Sequence, residues 1–474
     1  MRPRSAAHGI RRWRLTTAGL LAGTAALLTA SGAVVPSQAM AQSGSRSAPA
    51  ASSTAAGGTL AARPYMGWTS WDTFRCGISA TLIEQQALLM HDKLQRYGYR
   101  YVNIDSDCGN FVVNKYGYSV YDPSQFPGGI APVARYVHHL GLKLGVYAVP
   151  GIPIQAVQEN TPIEGTPYHA RDIIYGTSVY GNHFDNTYKI DYAKPGAQAY
   201  IDGWARYLAA QGADYLKLDG VAPGSGVPGY NTMADVKAWS LALRRTGRPI
   251  WLEISSIIDP AYGSFWSTYA NGWRADDDID CYSSCPGQLT DWSKVAARFS
   301  DAVPFAPYTG HGGWTDLDSA LVGNAAKDGL TATESQTVMT LWAIVRSPLY
   351  TGDDLSTLTP DGLSLLTNRG VIAVDQAGLP GGVPVQAGAQ QQVWHAAMPH
   401  GEVAVALFNL ADSAAPVTAT WQDVGVCGPA SVRDVWANQE LGQFGDGFTA
   451  TIPAHGSRLL LVQPATGAQA GGCR

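Results

Sequence analysis

The sequence predicts an α/β fold, a (β/α)8 TIM barrel followed by a C-terminal antiparallel β-sandwich. Three observations carry that reading. Between Pro64 and Gln376 short β-rich runs alternate with helical stretches, and with Met66-Gly-Trp68 as the first strand they make about eight β/α units. After about Gly381 the helices stop and strand-like runs follow one another directly. Several barrel runs also end in a carboxylate just where they break into a loop, which is a poor way to build a core.

Taken in order, the second barrel strand is Tyr99–Asp105, followed by a long loop and a helix near Ala131–Leu140. Lys143–Val149 is the third, and after another long loop a helix over about Gly196–Gln211 leads into the fourth, Asp214–Asp219. Ile250–Ser255, Gly272–Asp278, Pro304–Gly310 and Ser347–Gly352 continue the series. In the fourth strand Tyr215, Lys217 and Asp219 share one face and Leu216 and Leu218 the other. With the leucines packed under helices, the charged face points into the barrel. A doubly wound sheet would use the same alternation, but no Gly-x-Gly-x-x-Gly turn supports a nucleotide-binding version. The sandwich strands are Gln391–Ala396, Val403–Phe408, Val417–Trp421, Val432–Trp436, Phe448–Ile452 and Arg458–Val462, with Trp394, Trp421 and Trp436 read as core residues. The barrel is placed at 63–380 and the sandwich at 381–474.

The chain of 474 residues is 46% hydrophobic and 15% charged with a net charge of −5, a globular composition without the basic excess that nucleic acid binding requires. Trp (14) and Tyr (23) outnumber Phe (10), a bias toward flat rings with a polar handle that suits sugar binding as well as core packing. Arg11-Arg12-Trp13-Arg14, an apolar run from about Leu15 to Val35 and Ala39-Met40-Ala41 have the order of an export signal, placed at 1–41, for either Sec or Tat export. Residues 42–62 are Ser/Ala/Gly-rich and read as a disordered linker. The expectation is a secreted protein with no stable membrane association. Six cysteines in an exported chain favour disulfides over metal: Cys281 with Cys285, Cys427 with Cys473, and Cys76 with Cys108 as the remaining pair. No Cys-x-x-Cys or His-Glu-x-x-His is present, so neither a metal nor another cofactor is expected. Oligomeric state is not legible.

The strand-end acids are Asp105 and Asp107, Asp219, Glu253 and the run Asp276–Asp278, with Asp316 and Asp318 in a loop between strands. Carboxylates gathered at one mouth repel each other and raise pKa values, a cost that persists where there is a task for it. None of these strand ends carries a His, which argues against metal-assisted chemistry. Glycoside hydrolysis instead needs one carboxyl kept ionised and one kept protonated. Lys217 is expected to hold Asp219 ionised, and crowding to raise at least one pKa among Asp276, Asp277 and Asp278.

From Met66-Gly-Trp-Thr-Ser-Trp71 onward the chain resembles glycoside hydrolase family 27, the α-galactosidase family. The resemblance rests on the opening Gly-Trp-x-x-Trp, Tyr99-x-Tyr-x-x-Ile-Asp105, Leu144-Gly-x-Tyr147, Tyr215-Leu-Lys-x-Asp219, Trp273-Arg-x-x-x-Asp-Ile279, Trp314-x-Asp-x-Asp318, Ser347-Pro-Leu and Leu366-Thr-Asn-Arg-Gly-Val-Ile-Ala. It implies a retaining glycosidase with Asp219 as nucleophile and Asp278 as acid/base. It also implies sugar-binding roles for Trp71, Asp105, Asp107, Tyr147, Lys217, Glu253, Arg274 and Asp318, and a Cys76–Cys108 disulfide. The substrate it implies first is an α-galactoside. Family galactosidases usually read Ile-Asp-Asp-Cys-Trp where this chain has Ile104-Asp105-Ser106-Asp107-Cys108-Gly109, and the stretch from Thr161 to Lys189 is an insertion. These departures bring in an isomaltodextranase-like branch acting on α-1,6-glucan and a β-L-arabinopyranosidase as alternatives. A non-catalytic carbohydrate-binding protein would have lost Asp219 or Asp278, and both are present.

Overall fold

The computed structural model describes residues 60–106, 111–224, 229–310, 312–388 and 390–465. Eight parallel strands line the barrel: β1 Met66–Thr69, β2 Tyr101–Asn103, β3 Lys143–Ala148, β4 Ala213–Leu218, β5 Trp251–Ile254, β6 Gly272–Arg274, β7 Trp314–Asp316 and β8 Leu349–Thr351. Their order is β7-β6-β5-β4-β3-β2-β1-β8. No ladder among the described residues joins β7 to β8. That seam is closed by single bonds: Ala320 N to the Tyr350 carbonyl at 2.7 Å, Leu317 N to Ser347 Oγ at 2.9 Å and Tyr350 Oη to Asp316 Oδ2 at 3.1 Å.

The predicted seventh strand, Pro304–Gly310, is a 3-10 helix over Val303–Tyr308. Pro304 and Pro307 have no N–H to give a ladder, so the run cannot serve as a central strand. Trp314-Thr-Asp316 takes its place beside β6, and Asp316 therefore ends a strand rather than lying in a loop.

A helix follows each strand: α1 Ala80–Lys93, α2 Ala131–His139, α3 Ala197–Gln211, α4 Met233–Arg245, α5 Gly263–Tyr269, α6 Trp292–Asp301, α7 Ala332–Val345 and α8 Pro360–Leu366. Their starts follow from side-chain caps. Ser79 accepts from Leu82 N, Asp291 from Lys294 N, and Thr331 with Glu334 forms a reciprocal capping box. Leu216 and Leu218 are fully buried between β4 and the helices, as their alternation predicts.

The bottom of the barrel is filled by rings. Tyr65, Tyr101, Tyr215, Trp251, Trp314 and Tyr350 form one buried cluster, with Tyr65 lying 5.2–5.5 Å by ring centroid from Tyr101, Tyr215, Trp251 and Tyr350. Trp314 Nε1 donates to the Ala61 carbonyl at 3.0 Å, and Ala61 is buried. The end of the stretch read as linker is thus packed under the barrel, because its backbone caps this aromatic floor.

The C-terminal strands are β9 Val383–Ala387, β10 Gln391–Ala397, β11 Val403–Asn409, β12 Ala415–Thr420, β13 Ala430–Asp434, β14 Gln439–Phe444, β15 Gly447–Ile452 and β16 Ser457–Pro464. One sheet runs β9-β10-β11-β16-β13-β14 and faces the β12–β15 pair. The core between them holds Val393, Val405, Leu407, Val417, Trp421, Phe448, Leu460 and Val462. The other face of β10 and β11 packs on the barrel, where Phe299 meets Phe408 at 4.8 Å and Trp394 at 6.2 Å. Buried Arg346 ties the two together, donating to the carbonyls of Val374, Pro380 and Ala397. Burial lowers its guanidinium to about 10 against the pull of Asp375.

Cys281 and Cys285 are bridged. Cys76 and Cys427 are disulfide-bonded as well, and the cysteines with which the sequence pairs them, Cys108 and Cys473, lie outside the described residues.

Candidate active site

The strand ends at the top of the barrel converge on two connected spaces. An open cavity of about 190 Å³ is lined by Trp71, Asp105, Tyr147, Lys217, Asp219 and Asp278 from the expected set, joined by His183, Phe184, Ser256, Asp277 and Tyr282. Beneath it an inner cavity of about 20 Å³ reaches down to the aromatic floor and brings in Asp72, Glu253, Arg274, Asp316 and Asp318. Asp107 lies outside the described residues. All the other predicted site residues line one space or the other.

Period-2 geometry along β4 sets the levels: Tyr215 belongs to the floor, Lys217 stands above it, and Asp219 follows the strand end. Asp219 Oδ2 accepts from Tyr147 Oη at 3.1 Å, and Oδ1 accepts from the following Gly220 N at 2.9 Å. Gly220 has φ +74°, and a Cβ there would come within 2.9 Å of the Phe184 ring. The turn after the carboxylate therefore needs glycine both for conformation and for room.

Lys217 does not pair with Asp219. Its Nζ meets Asp105 Oδ2 at 2.7 Å, because Asp105 at the end of β2 projects across to it. Burial would lower the ammonium pKa, but Asp105 and then Asp219 raise it above the ordinary lysine value, so Lys217 stays charged. Asp105 moves the other way: burial lifts it to about 6 against the pull of Lys217. The pair is a fixed dipole in the wall of the cavity.

The crowding expected at Asp276–Asp278 is relieved by two arginines. Arg274, 2% exposed, donates from Nη2 to Asp278 Oδ1 at 2.5 Å and Asp318 Oδ2 at 2.8 Å. Arg298, 1% exposed, takes Asp276 at 2.7 Å. Burial alone would raise Asp278, but Arg274, Lys217 and a hydrogen bond from Tyr282 hold it well below the carboxylate range. Asp276 is lowered too: its burial is outweighed by the Asp277 backbone bond and Arg298. The expected upward shift within the run is therefore corrected to a downward one. The repulsion among the carboxylates persists, but the intervening cations outweigh it.

The raised carboxyls sit deeper. Asp72 is lifted to about 7 by burial and then by Asp318, and Asp316 to about 6 by burial against the pull of Arg274. Glu253, 1% exposed, is raised well above its usual range by burial and then by Asp316. Its Oε2 accepts from Trp251 Nε1 at 2.8 Å, and a Cβ at Gly272 would overlap it, so it faces the inner cavity. Asp318 is occupied by protein. It accepts from Ile279 N, Ser319 N and Tyr350 Oη as well as Arg274, and so braces the arginine.

Sequence reasoning misses Asp72, His183, Phe184, Ser256 and Tyr282 in the wall. Asp72 follows the Trp71 of the opening motif by one position, and its company with the other strand-end acids was the available signal. His183 and Phe184 arrive on the insertion, where Thr187–Tyr188 pairs with Ile152–Pro153 and Asn182 Nδ2 donates to the Pro150 carbonyl at 3.0 Å. No local pattern announces that docking. Tyr282 sits inside the Cys281–Cys285 turn, and its phenol donates to Asp278 Oδ2.

The family described as alpha galactosidase A matches residues 63–157 and 168–377, and its C-terminal beta sandwich domain matches 388–462. The chain belongs to the α-galactosidase family of glycoside hydrolases. Alpha-galactosidase 3 of Arabidopsis thaliana is 31% identical over 423 residues, covering 86% of this chain and 83% of its own. A family 27 β-L-arabinopyranosidase from Geobacillus stearothermophilus overlays with a TM-score of 0.79 at 30% identity, over 88% of this chain and 99% of its own. α-Galactosidase I from Mortierella vinacea overlays at 0.67 with 28% identity, over 86% and 98%. Membership in this family makes the chain a glycosidase.

Proposed function

We propose that the protein is a retaining exo-glycosidase that removes terminal α-D-galactosyl residues, with Asp219 as nucleophile and Asp278 as acid/base. The single observation that carries the reading is the contrast between these two carboxylates in one cavity. Asp219 is held by two neutral donors, whereas Asp278 is held by the Arg274 guanidinium and the Tyr282 phenol. In the first step Asp219 attacks the anomeric carbon while Asp278 gives its proton to the leaving oxygen, so that the bond to the aglycone breaks as the bond to Asp219 forms. In the second step Asp278, now a carboxylate, takes a proton from water, which displaces Asp219. Two inversions give net retention. The free form holds Asp278 ionised, the state the second step uses. Protonation for the first step follows when a sugar hydroxyl draws Arg274 Nη2 away. The Asp105–Lys217 pair supplies an acceptor and a donor to neighbouring hydroxyls of the ring.

A second reading is favoured by two observations. Ser106 stands where family galactosidases carry the second of the adjacent acids that recognise the axial O4 and the O6 arm of galactose, and the Geobacillus arabinopyranosidase overlays better than the Mortierella galactosidase. β-L-Arabinopyranose is galactose without that arm. The deciding experiment compares p-nitrophenyl α-D-galactopyranoside, β-L-arabinopyranoside and α-D-glucopyranoside, with dextran as a fourth substrate. The highest kcat/KM on the galactoside supports the first reading and on the arabinoside the second. Isomaltose release from dextran without galactoside hydrolysis overturns both. The Arg11-Arg12 segment, apolar run and Ala39-Met40-Ala41 support export to the cell exterior, checked by N-terminal sequencing of the mature protein.

A further inference from the structure

Tyr282 is placed with more care than a surface tyrosine requires. It is 46% exposed, yet its hydroxyl is engaged twice: it accepts from Trp71 Nε1 at 3.0 Å and donates to Asp278 Oδ2. Its backbone has φ +48°, in the left-handed region that a β-carbon disfavours, and sits in the turn closed by Cys281–Cys285. Its N–H donates to Asp280 Oδ1 at 2.6 Å, and the other oxygen of Asp280 binds Arg75. The Arg75 guanidinium lies over the Tyr282 ring at 4.5 Å and the Trp71 ring at 5.1 Å. Two loops, after β1 and after β6, are thereby latched together across the mouth of the cavity, and the phenol is the latch point on the carboxyl.

We infer that Tyr282 is a positioning residue for the acid/base, fixing the orientation of the Asp278 carboxyl toward the leaving-group oxygen. This rests on the reading of Asp278 given above. With Arg274 on Oδ1 alone, the carboxyl is free to rotate about its Cβ–Cγ bond. With Tyr282 on Oδ2 both oxygens are fixed, one toward the pocket wall and one toward the open side where an aglycone leaves. When the proton is on Asp278, the phenol still donates to Oδ2, so the acid proton is left free to point at the leaving-group oxygen. The geometry is thus kept through both half-reactions without Tyr282 itself gaining or losing a proton overall.

The distinguishing experiment is a leaving-group series of glycosides of the preferred sugar, run on wild type, Tyr282→Phe and Asp278→Ala. An acid is needed for poor leaving groups and not for activated ones such as dinitrophenolate. In Tyr282→Phe, kcat/KM should fall about tenfold for alkyl or sugar aglycones, the scale of one hydrogen bond to a charged group, and stay within about twofold for the dinitrophenyl glycoside. A loss uniform across the series, or none at all, overturns the role, because a purely structural tyrosine gives no leaving-group dependence. Asp278→Ala separates this from the parent reading. If that variant also lacks leaving-group dependence and is not rescued by azide, the acid/base assignment itself fails. If it shows both and Tyr282→Phe shows neither, only the role of Tyr282 fails. The Phe variant keeps the ring under Arg75, and an unchanged melting temperature verifies the fold.

Discussion

The lower and upper halves of the barrel interior are built by the same strands and have opposite chemistry. Two positions along β4 take the chain from Tyr215 to Lys217, and two more to Asp219. β5 goes from Trp251 to Glu253, and β7 from Trp314 to Asp316 and on to Asp318. Below, rings meet edge to face at 5–6 Å and exclude water. Above, carboxylates crowd at a density that is tolerated only because Lys217, Arg274 and Arg298 are threaded among them. The lesson is a division of labour by height. The floor supplies the rigidity and burial, and the mouth carries buried charged groups at a cost in stability.

The comparison breaks most visibly at Asp219. Asp219→Asn should lower kcat by about 10⁴-fold or more and leave the melting temperature within about 1–2 °C, since among the described residues the side chain is hydrogen-bonded to Tyr147 and the adjacent Gly220 N–H alone. A parallel collapse of stability would mean that mouth and floor are not separable.

The converse change is Trp314→Ala. Removing a fully buried ring from the floor should cost about 3–5 kcal/mol in chemical denaturation while the folded fraction keeps its kcat. Loss of kcat without loss of stability would contradict the assignment of this layer to structure.

The smallest effect sharpens the electrostatic half of the comparison. Asp72 carries a folded pKa of about 7, raised from the ordinary 3.8 by burial first and Asp318 second. The native state therefore binds an extra proton between those values. That contribution to stability is complete below the ordinary carboxylate value and is lost as pH rises through about 7. Asp105 and Asp316, lifted to about 6, act in the same sense. The melting temperature should fall between about pH 4 and pH 7, and Asp72→Asn should flatten that fall by about 2–4 °C. A slope unchanged in the variant would place the titration elsewhere.

The mouth was largely legible in the sequence, because period-2 alternation in β4 separates Leu216 and Leu218 from Tyr215, Lys217 and Asp219 without any tertiary knowledge, whereas the aromatic floor, gathered from separate strands, was not. What stayed hidden depends on contacts distant in the chain. Lys217 is two residues from Asp219, yet pairs with Asp105, 112 residues away, and proximity along the strand misled. The Asp276–Asp278 run looked repulsive because Arg298 reaches it from α6, some twenty residues on. β7 was displaced because Val303–Tyr308 has strand-like composition, and only its prolines argue against pairing. Asp72, His183, Phe184 and Tyr282 join the cavity through loops whose docking no local pattern encodes.

The central claim, that Asp219 becomes covalently attached to the sugar, is tested most directly by mass spectrometry of the protein inactivated with a 2-deoxy-2-fluoro glycosyl fluoride of the preferred sugar. The fluorine slows breakdown of the intermediate so that it accumulates. The account predicts one added fluoroglycosyl group on the peptide carrying Asp219, and none in Asp219→Asn. Label on Asp278, Asp105 or Glu253 instead, or turnover of natural substrate with an inverted first product, would contradict it.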